Sequence, residues 1–145
     1  MIHRELTIKN KYYDSALKLF KKKKIVFIGS QDSDGYPNIK AVLVADKKEG
    51  MKEIVIKTNT SSRHVQQFKE NPKGCLYFMG LIGFKGAMLR GEYSVIEDDE
   101  LKDKYWKKGD EKYYLDGYHD YCLLIFRAEN GRYYHKYESG DFEIE

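Results

Sequence analysis

A small antiparallel β-barrel with a few short helices is the fold class this sequence predicts. Three observations predict it. Compact β-branched runs recur between tight-turn signals, as in KIVFIGSQD, DSDGYP and NIKAVLVAD. A long apolar stretch, FKGAMLRGEYSVIED, carries Gly86 and Gly91 internally, where a barrel strand needs bends or bulges. The 13 Tyr against a single Trp suit barrels and subunit interfaces, where a ring is buried and its hydroxyl stays wet. Closure follows because an open sheet of such strands leaves bare edges.

The elements read in order. KYYDSALKLFKK, residues 11–22, sets Tyr13, Ala16, Leu17 and Phe20 at helical spacing, and Lys21–Lys24 crowds its last turn, where the helix dipole favours cations. From Lys24 the period changes to that of a strand, and Asp34-Gly35 marks a hairpin into NIKAVLVAD. A polar turn over Lys47–Gly50 leads to KEIVIKT, completing a three-stranded meander. Ser61 or Ser62 caps a helix through Val65 and Phe68, which Asn71-Pro72 ends. GCLYFMG and the Gly-interrupted run are the fourth and fifth strands. Asp98, Asp99 and Glu100 stand at the start of a helix continued by LKDKYW. YCLLIFRAE is the last core strand, with a turn expected at Asn130-Gly131 and GRYYHKYE pairing back. One domain over 1–145 is expected, with 138–145 a frayed acidic tail.

Composition narrows the function classes. With 41% hydrophobic and 34% charged residues the 145-residue chain reads as globular and cytoplasmic, without a signal core or membrane span. A net charge of +3, evenly spread, is too weak to imply nucleic acid. Cys75 and Cys122 lie inside apolar runs and read as packing thiols. His3, His64, His119 and His135 have no spacing that suits a metal, and His119-Asp120 reads as loop structure rather than part of a triad. No Walker loop, Gly-x-Gly-x-x-Gly or Gly-x-Ser-x-Gly motif is present.

One constellation remains. TNTSSRH, Thr58–His64, stands at a strand-to-helix junction. Helix-start amides lack partners and favour anions. Hydroxyls from Thr58, Ser61 or Ser62 add donors, Arg63 adds a bidentate fork, and His64 adds a charge or a neutral donor. Simple capping with two exposed cations explains the same residues equally well. The residues alone leave the two readings level.

The order and spacing of IVFIGSQDSDGYPNIKAVLVAD, TNTSSRHVQQFKENP, LRGEYSVIEDDE and YWKKGDEKYYLDG resemble the pyridoxamine 5′-phosphate oxidase-like, FMN-binding split-barrel superfamily, in its general stress protein branch. The resemblance runs from about Ala16 to Tyr134. It implies a six-stranded antiparallel split barrel that forms a homodimer with two FMN sites at the interface. It implies that Lys40, Ala41, Val42 and Leu43 lie along the flavin ring. Lys57, Thr58, Ser62, Arg63 and His64 would hold the phosphate, with Gln67 nearby, and Trp106 or Tyr114 would approach the ring from the partner subunit.

The departures are specific. His64 stands where the family commonly has lysine, which would make phosphate affinity sensitive to pH near neutrality. Lys40 replaces an arginine of the oxidase, and Gly86 falls near a glutamine. The oxidase's Arg-x-His substrate motif is missing, since Arg132-Tyr133-Tyr134-His135 has another spacing. The resemblance therefore implies an FMN-dependent oxidoreductase of a small-molecule substrate or electron donor, not a pyridoxine phosphate oxidase. The alternatives are a non-catalytic flavin-binding sensor, or a split barrel holding deazaflavin or haem.

Overall fold

The computed structural model describes residues 2–47 and 49–144, with backbone alone for residues 2–10; the side chain of His3 and all of Glu145 lie outside it. The elements are α1 (Ile2–Phe20), β1 (Ile25–Gln31), β2 (Pro37–Asp46), β3 (Glu53–Asn59), α2 (Arg63–Glu70), β4 (Lys73–Met79), β5 (Lys85–Ile96), α3 (Asp99–Tyr105), β6 (Tyr121–His135) and β7 (Glu138–Glu143). Two short 3₁₀ turns, Asp110–Tyr113 and Gly117–Asp120, precede β6.

The first hairpin sets the register of the sheet. Asp32 Oδ1 accepts the amides of Asp34 (2.9 Å) and Tyr36 (2.8 Å), and Gly35 adopts a φ of 90° that an L side chain resists. β1 and β2 then pair from Gln31↔Pro37 to Ile25↔Leu43. Strand order is β3-β2-β1-β4-β5-β6-β7, and pairing of β3 with β6 closes six strands into an antiparallel barrel. β7 extends the sheet beyond it.

Alternation fills the interior. Val26, Ile28, Ile54, Ile56, Leu76, Phe78, Leu89, Leu124 and Phe126 meet in one core, with α1 adding Ala16 and Phe20 and α2 adding Val65 and Phe68. Phe68 stacks on Tyr93 at 3.9 Å between ring centroids. A second cluster of Val55, Tyr114, Tyr121, Leu123 and Ile125 lies outside the barrel wall, with Trp106 packed on it. β3 thus sends Val55, Lys57 and Asn59 one way and Ile54, Ile56 and Thr58 the other.

Three expectations fail at the termini. Asn130-Gly131 does not turn: β6 runs on to His135, paired with β5 on one side and β7 on the other. Pairing on both edges overrides the local Asn-Gly preference, and Gly131 is needed because a Cβ there would strike the Phe142 ring. The turn falls at Lys136-Tyr137, where Lys136 takes a φ of 54°. The segment from 138, expected to fray, forms β7; Phe142 is buried against Tyr13 at 5.9 Å, and Lys11 bridges Glu138 at 2.8 Å. The first helix begins at Ile2 rather than near residue 11. Among the described residues no helix is long and apolar enough to cross a membrane.

Gly91 sits at the register break between Arg90 and Gly91 that bends β5. A Cβ at this position would collide with the carbonyl of Arg127 on β6, which is backbone and has no rotamer to escape into. Gly91→Ala is expected to destabilise the fold by about 2–4 kcal/mol, read as a lowered denaturation midpoint with unchanged slope.

Candidate functional site

β3 is shared unequally by its neighbours. It pairs with β6 along its whole length, Glu53↔Arg127 to Asn59↔Tyr121, but with β2 only from Leu43↔Lys57 back to Asp46↔Val55. Before Leu43, β2 still follows β1 and leaves β3. The backbone of Lys40–Val42 therefore presents an edge that no strand takes up. An unpaired edge exposes alternating donors and acceptors.

The gap is a cleft of about 300 Å³. Lys40, Ala41, Val42 and Leu43 line one wall, and Lys57, Thr58 and Asn59 line the other. Ile25, Asp110, Tyr113 and Tyr114 complete it. Lys57 Nζ lies 2.7 Å from Asp110 Oδ2, which also accepts the Lys107 amide at 2.9 Å. Burial pushes the Asp110 carboxyl up, but the hydrogen bonds from Lys57 and Lys107 and the charge of both outweigh it and hold it below the usual carboxylate range.

The TNTSSRH turn caps α2 through its backbone and not through a side chain. Ser62 occupies the N-cap of α2 with extended backbone, yet its side chain makes no cap bond. Three amides of the turn are used internally: Thr60 N–H donates to the Asp120 carbonyl (2.6 Å), Ser61 N–H to Asp120 Oδ1 (3.0 Å) and Ser62 N–H to the Asn59 carbonyl (3.0 Å). Those of Arg63 and His64 take no backbone acceptor among the described residues. Arg63 is exposed, and among the described residues its guanidinium takes no acidic partner. One hydroxyl, two amides and one guanidinium are thus uncommitted at the turn.

His64 departs from the expectation of a charged or titrating contact. It is 1% exposed, its Nε2 lies 2.7 Å from Thr58 Oγ1, and its ring meets Phe68 edge-on. Burial, reinforced by the positive charge of Lys40, lowers its pKa to about 4. The imidazole is neutral at physiological pH, so its titration does not reach neutrality. Gln67 also turns away from the cleft: its Oε1 accepts from Ser30 Oγ, which accepts from Asn38 Nδ2 at 3.3 Å. Trp106 packs against Tyr114, Tyr118 and Tyr121 of its own chain, with centroids 5.7, 5.5 and 4.9 Å away, and does not line the cleft. Tyr114 does, from within the same chain.

Besides Ile25 on β1, sequence reasoning missed Asn59, Asp110 and Tyr113 as cleft residues, and it took Asp120 for loop structure. Asn59 lies inside the TNTSSRH string. The others come from a segment 50 residues away that only the β3–β6 register brings alongside. Among the described residues no three His, Cys, Asp or Glu side chains gather as a metal site requires.

Comparison with known proteins agrees with this architecture. The sequence model of the family described as pyridoxamine 5′-phosphate oxidase matches residues 14–135. A protein from Clostridium acetobutylicum related to general stress protein 26 of B. subtilis, of the pyridoxinephosphate oxidase family, is 38% identical. Its structure superposes with a TM-score of 0.81 over 92% of this chain and 95% of its own. A pyridoxamine 5′-phosphate oxidase-related, FMN-binding protein from Nostoc punctiforme shares the fold at 13% identity and a TM-score of 0.63, covering 92% and 94%. A haem-binding protein from Mycobacterium smegmatis does so at 16% and 0.69, covering 88% of this chain and 56% of that one. No curated protein matches at the same stringency.

The buried imidazole makes stability depend on pH. The unfolded chain protonates His64 near 6.5, the folded chain near 4. Between these values the unfolded state binds more protons, so stability falls as pH drops through that window, by on the order of 2–3 kcal/mol. Denaturant titrations at pH 7 and pH 4.5 are expected to show this loss, and His64→Gln to remove most of it.

Proposed function

Because the chain belongs to the pyridoxamine 5′-phosphate oxidase family, we propose that its cleft binds FMN and that the protein is an FMN-dependent oxidoreductase of small molecules. The observation that carries the reading is the free β2 edge at Lys40–Val42, which lines one wall of a cleft whose other wall, Lys57, Thr58 and Asn59, leads into the α2 start. An isoalloxazine ring is flat and carries amide-like donors and acceptors along one side, which matches a strand edge. Its phosphate is an anion for the amides of Arg63 and His64, the Ser62 hydroxyl and the Arg63 guanidinium. When bound, the flavin supplies the hydride and electron chemistry. The chain's residues position it: Tyr113 and Tyr114 offer aromatic surface, and the Lys57–Asp110 pair presents a neutral polar wall.

Haem suits the cleft less well. A haem held by an axial histidine is not supported, because neither His64, His119 nor His135 lines the cleft. His64 is already bonded to Thr58.

Purified protein supplied with FMN is expected to show a flavin absorbance that survives dialysis. Arg63→Ala is expected to weaken FMN binding by about 1.5–3 kcal/mol; a colourless protein that cannot be loaded, or unchanged affinity in the variant, overturns the reading. Oxidation of a nicotinamide donor by the loaded protein separates an enzyme from a non-catalytic flavin carrier.

The same reading includes a homodimer. Ile25 pairs with Leu43, so the two side chains share a face, and Ile39 lies on it four residues from Leu43. Ile39 is 72% exposed, and the tip between β4 and β5 leaves Leu81, Ile82 and Phe84 at 93%, 85% and 90%. An apolar outer face of this extent on a barrel marks an interface, and Ile25 and Leu43 also line the cleft. A second copy seated here both covers the face and narrows the opening. Ile39→Lys is expected to convert a dimer to a monomer in sedimentation and to weaken FMN binding at least fivefold. A wild-type monomer, or a variant that stays dimeric, refutes this arrangement.

A further inference from the structure

His119-Asp120 has the look of a catalytic pair, but the geometry gives its two residues different fates. His119 is exposed, whereas Asp120 is buried at the last position of the 3₁₀ turn before β6. Three bonds tie Asp120 to the turn between β3 and α2. Its carbonyl accepts Thr60 N–H (2.6 Å), Oδ1 accepts Ser61 N–H (3.0 Å) and Oδ2 accepts Asn59 Nδ2–H (3.1 Å). β3 pairs with β6 up to Asn59↔Tyr121, so this register delivers Asp120 to the turn.

From this geometry we infer that Asp120 is a positioning residue for phosphate recognition, setting which donors of the TNTSSRH turn are left for the ligand. The inference rests on the FMN reading above. By taking the amides of Thr60 and Ser61, Asp120 folds the first part of the turn back onto the barrel. Among the described residues, the amides of Arg63 and His64, the Ser62 hydroxyl and the Arg63 guanidinium remain without partners. A free carboxylate this close to a phosphate would repel it. Here each carboxylate oxygen receives an N–H, so the charge is held by donors belonging to the turn itself. Burial raises the Asp120 carboxyl, but the bonds from Asn59 and Ser61 outweigh it and keep the group ionised well below neutral pH. Asn59 Nδ2 also reaches the carbonyl of Tyr113 at 3.4 Å, which couples the turn to the aromatic side of the cleft.

A residue that merely stabilises the fold affects every ligand of the cleft, whereas one that shapes the phosphate turn affects only ligands with a phosphate. The test therefore compares FMN with riboflavin, which lacks it, by quenching of flavin fluorescence on titration with wild-type protein, Asp120→Ala and Asp120→Asn. Wild type is expected to bind FMN at least tenfold more tightly than riboflavin. Asp120→Ala is expected to lose at least tenfold in FMN affinity while riboflavin changes less than threefold. Asp120→Asn keeps an acceptor for Ser61 N–H but turns a donor toward Asn59, so a smaller loss, still confined to FMN, is expected. If wild type itself does not distinguish the two flavins, the FMN reading falls and this inference with it. If wild type distinguishes them and the variants lose both equally, or lose neither, the inference alone is overturned. Should the alanine variant fail to fold, the asparagine variant decides by the same ratio.

Discussion

Everything at this site depends on how β3 divides its two edges. Closing the barrel commits one edge of β3 to β6 over seven residue pairs. The other edge is held by β2 only as far as Leu43↔Lys57. Had β2 followed β3 to Asn59, Ala41 and Val42 would be ordinary interior ladder and the edge they present would be closed. The split costs several backbone hydrogen bonds, each worth roughly 0.5–1.5 kcal/mol net when made, and leaves polar groups that a ligand or water must satisfy. The same closure brings residue 120 to the β3–α2 turn and residues 110–114 to the open side. Topology, more than local sequence, assembles the site.

This explains which parts were legible beforehand. Strand-forming runs, the Asp34-Gly35 hairpin and the bulge at Gly91 announce themselves locally, through periodicity and through the steric freedom of glycine. The α2 start announces itself too, because hydroxyls, Arg63 and His64 cluster there in sequence. Asn130-Gly131 misled because a local turn preference competes with pairing on two edges, and pairing wins. The β7 segment misled because Asp141 and Glu143 are on the outward half of an alternating strand whose buried member, Phe142, is a single letter. Asp110 and Asp120 were opaque for a different reason. Their roles exist only once the β3–β6 register is known, and an aspartate in a polar connection carries no signal of what will face it.

His64 shows how a substitution at a charged position is resolved by burial. A lysine could extend its ammonium to solvent along a flexible stem. An imidazole cannot, and on the inner side of α2 it is driven to neutrality and bonded to Thr58. His64 thereby forms a fixed polar pair with Thr58 behind the helix start, while Thr58 still lines the cleft. The cation count at the turn drops to Arg63, and the backbone donors carry more of whatever anion binding occurs.

The distribution of charge around the cleft then acquires a direction. At the end near β2, Lys57 is neutralised by Asp110 in a half-buried pair, among Ile25, Leu43, Tyr113 and Tyr114. Past Thr58 and Asn59, beyond the residues that line the cleft, Arg63 makes no ion pair among the described residues, the amides of Arg63 and His64 take no backbone acceptor among them, and the carboxylate of Asp120 is held by N–H groups. A ligand with a flat, uncharged ring and an anionic tail meets a neutral, partly apolar surface at one end and donors at the other. Reversed, it would bury its anion against apolar walls and an ion pair already satisfied, losing solvation without gaining a partner. Under the proposed FMN reading, the orientation that avoids that cost places the ring along the free strand edge.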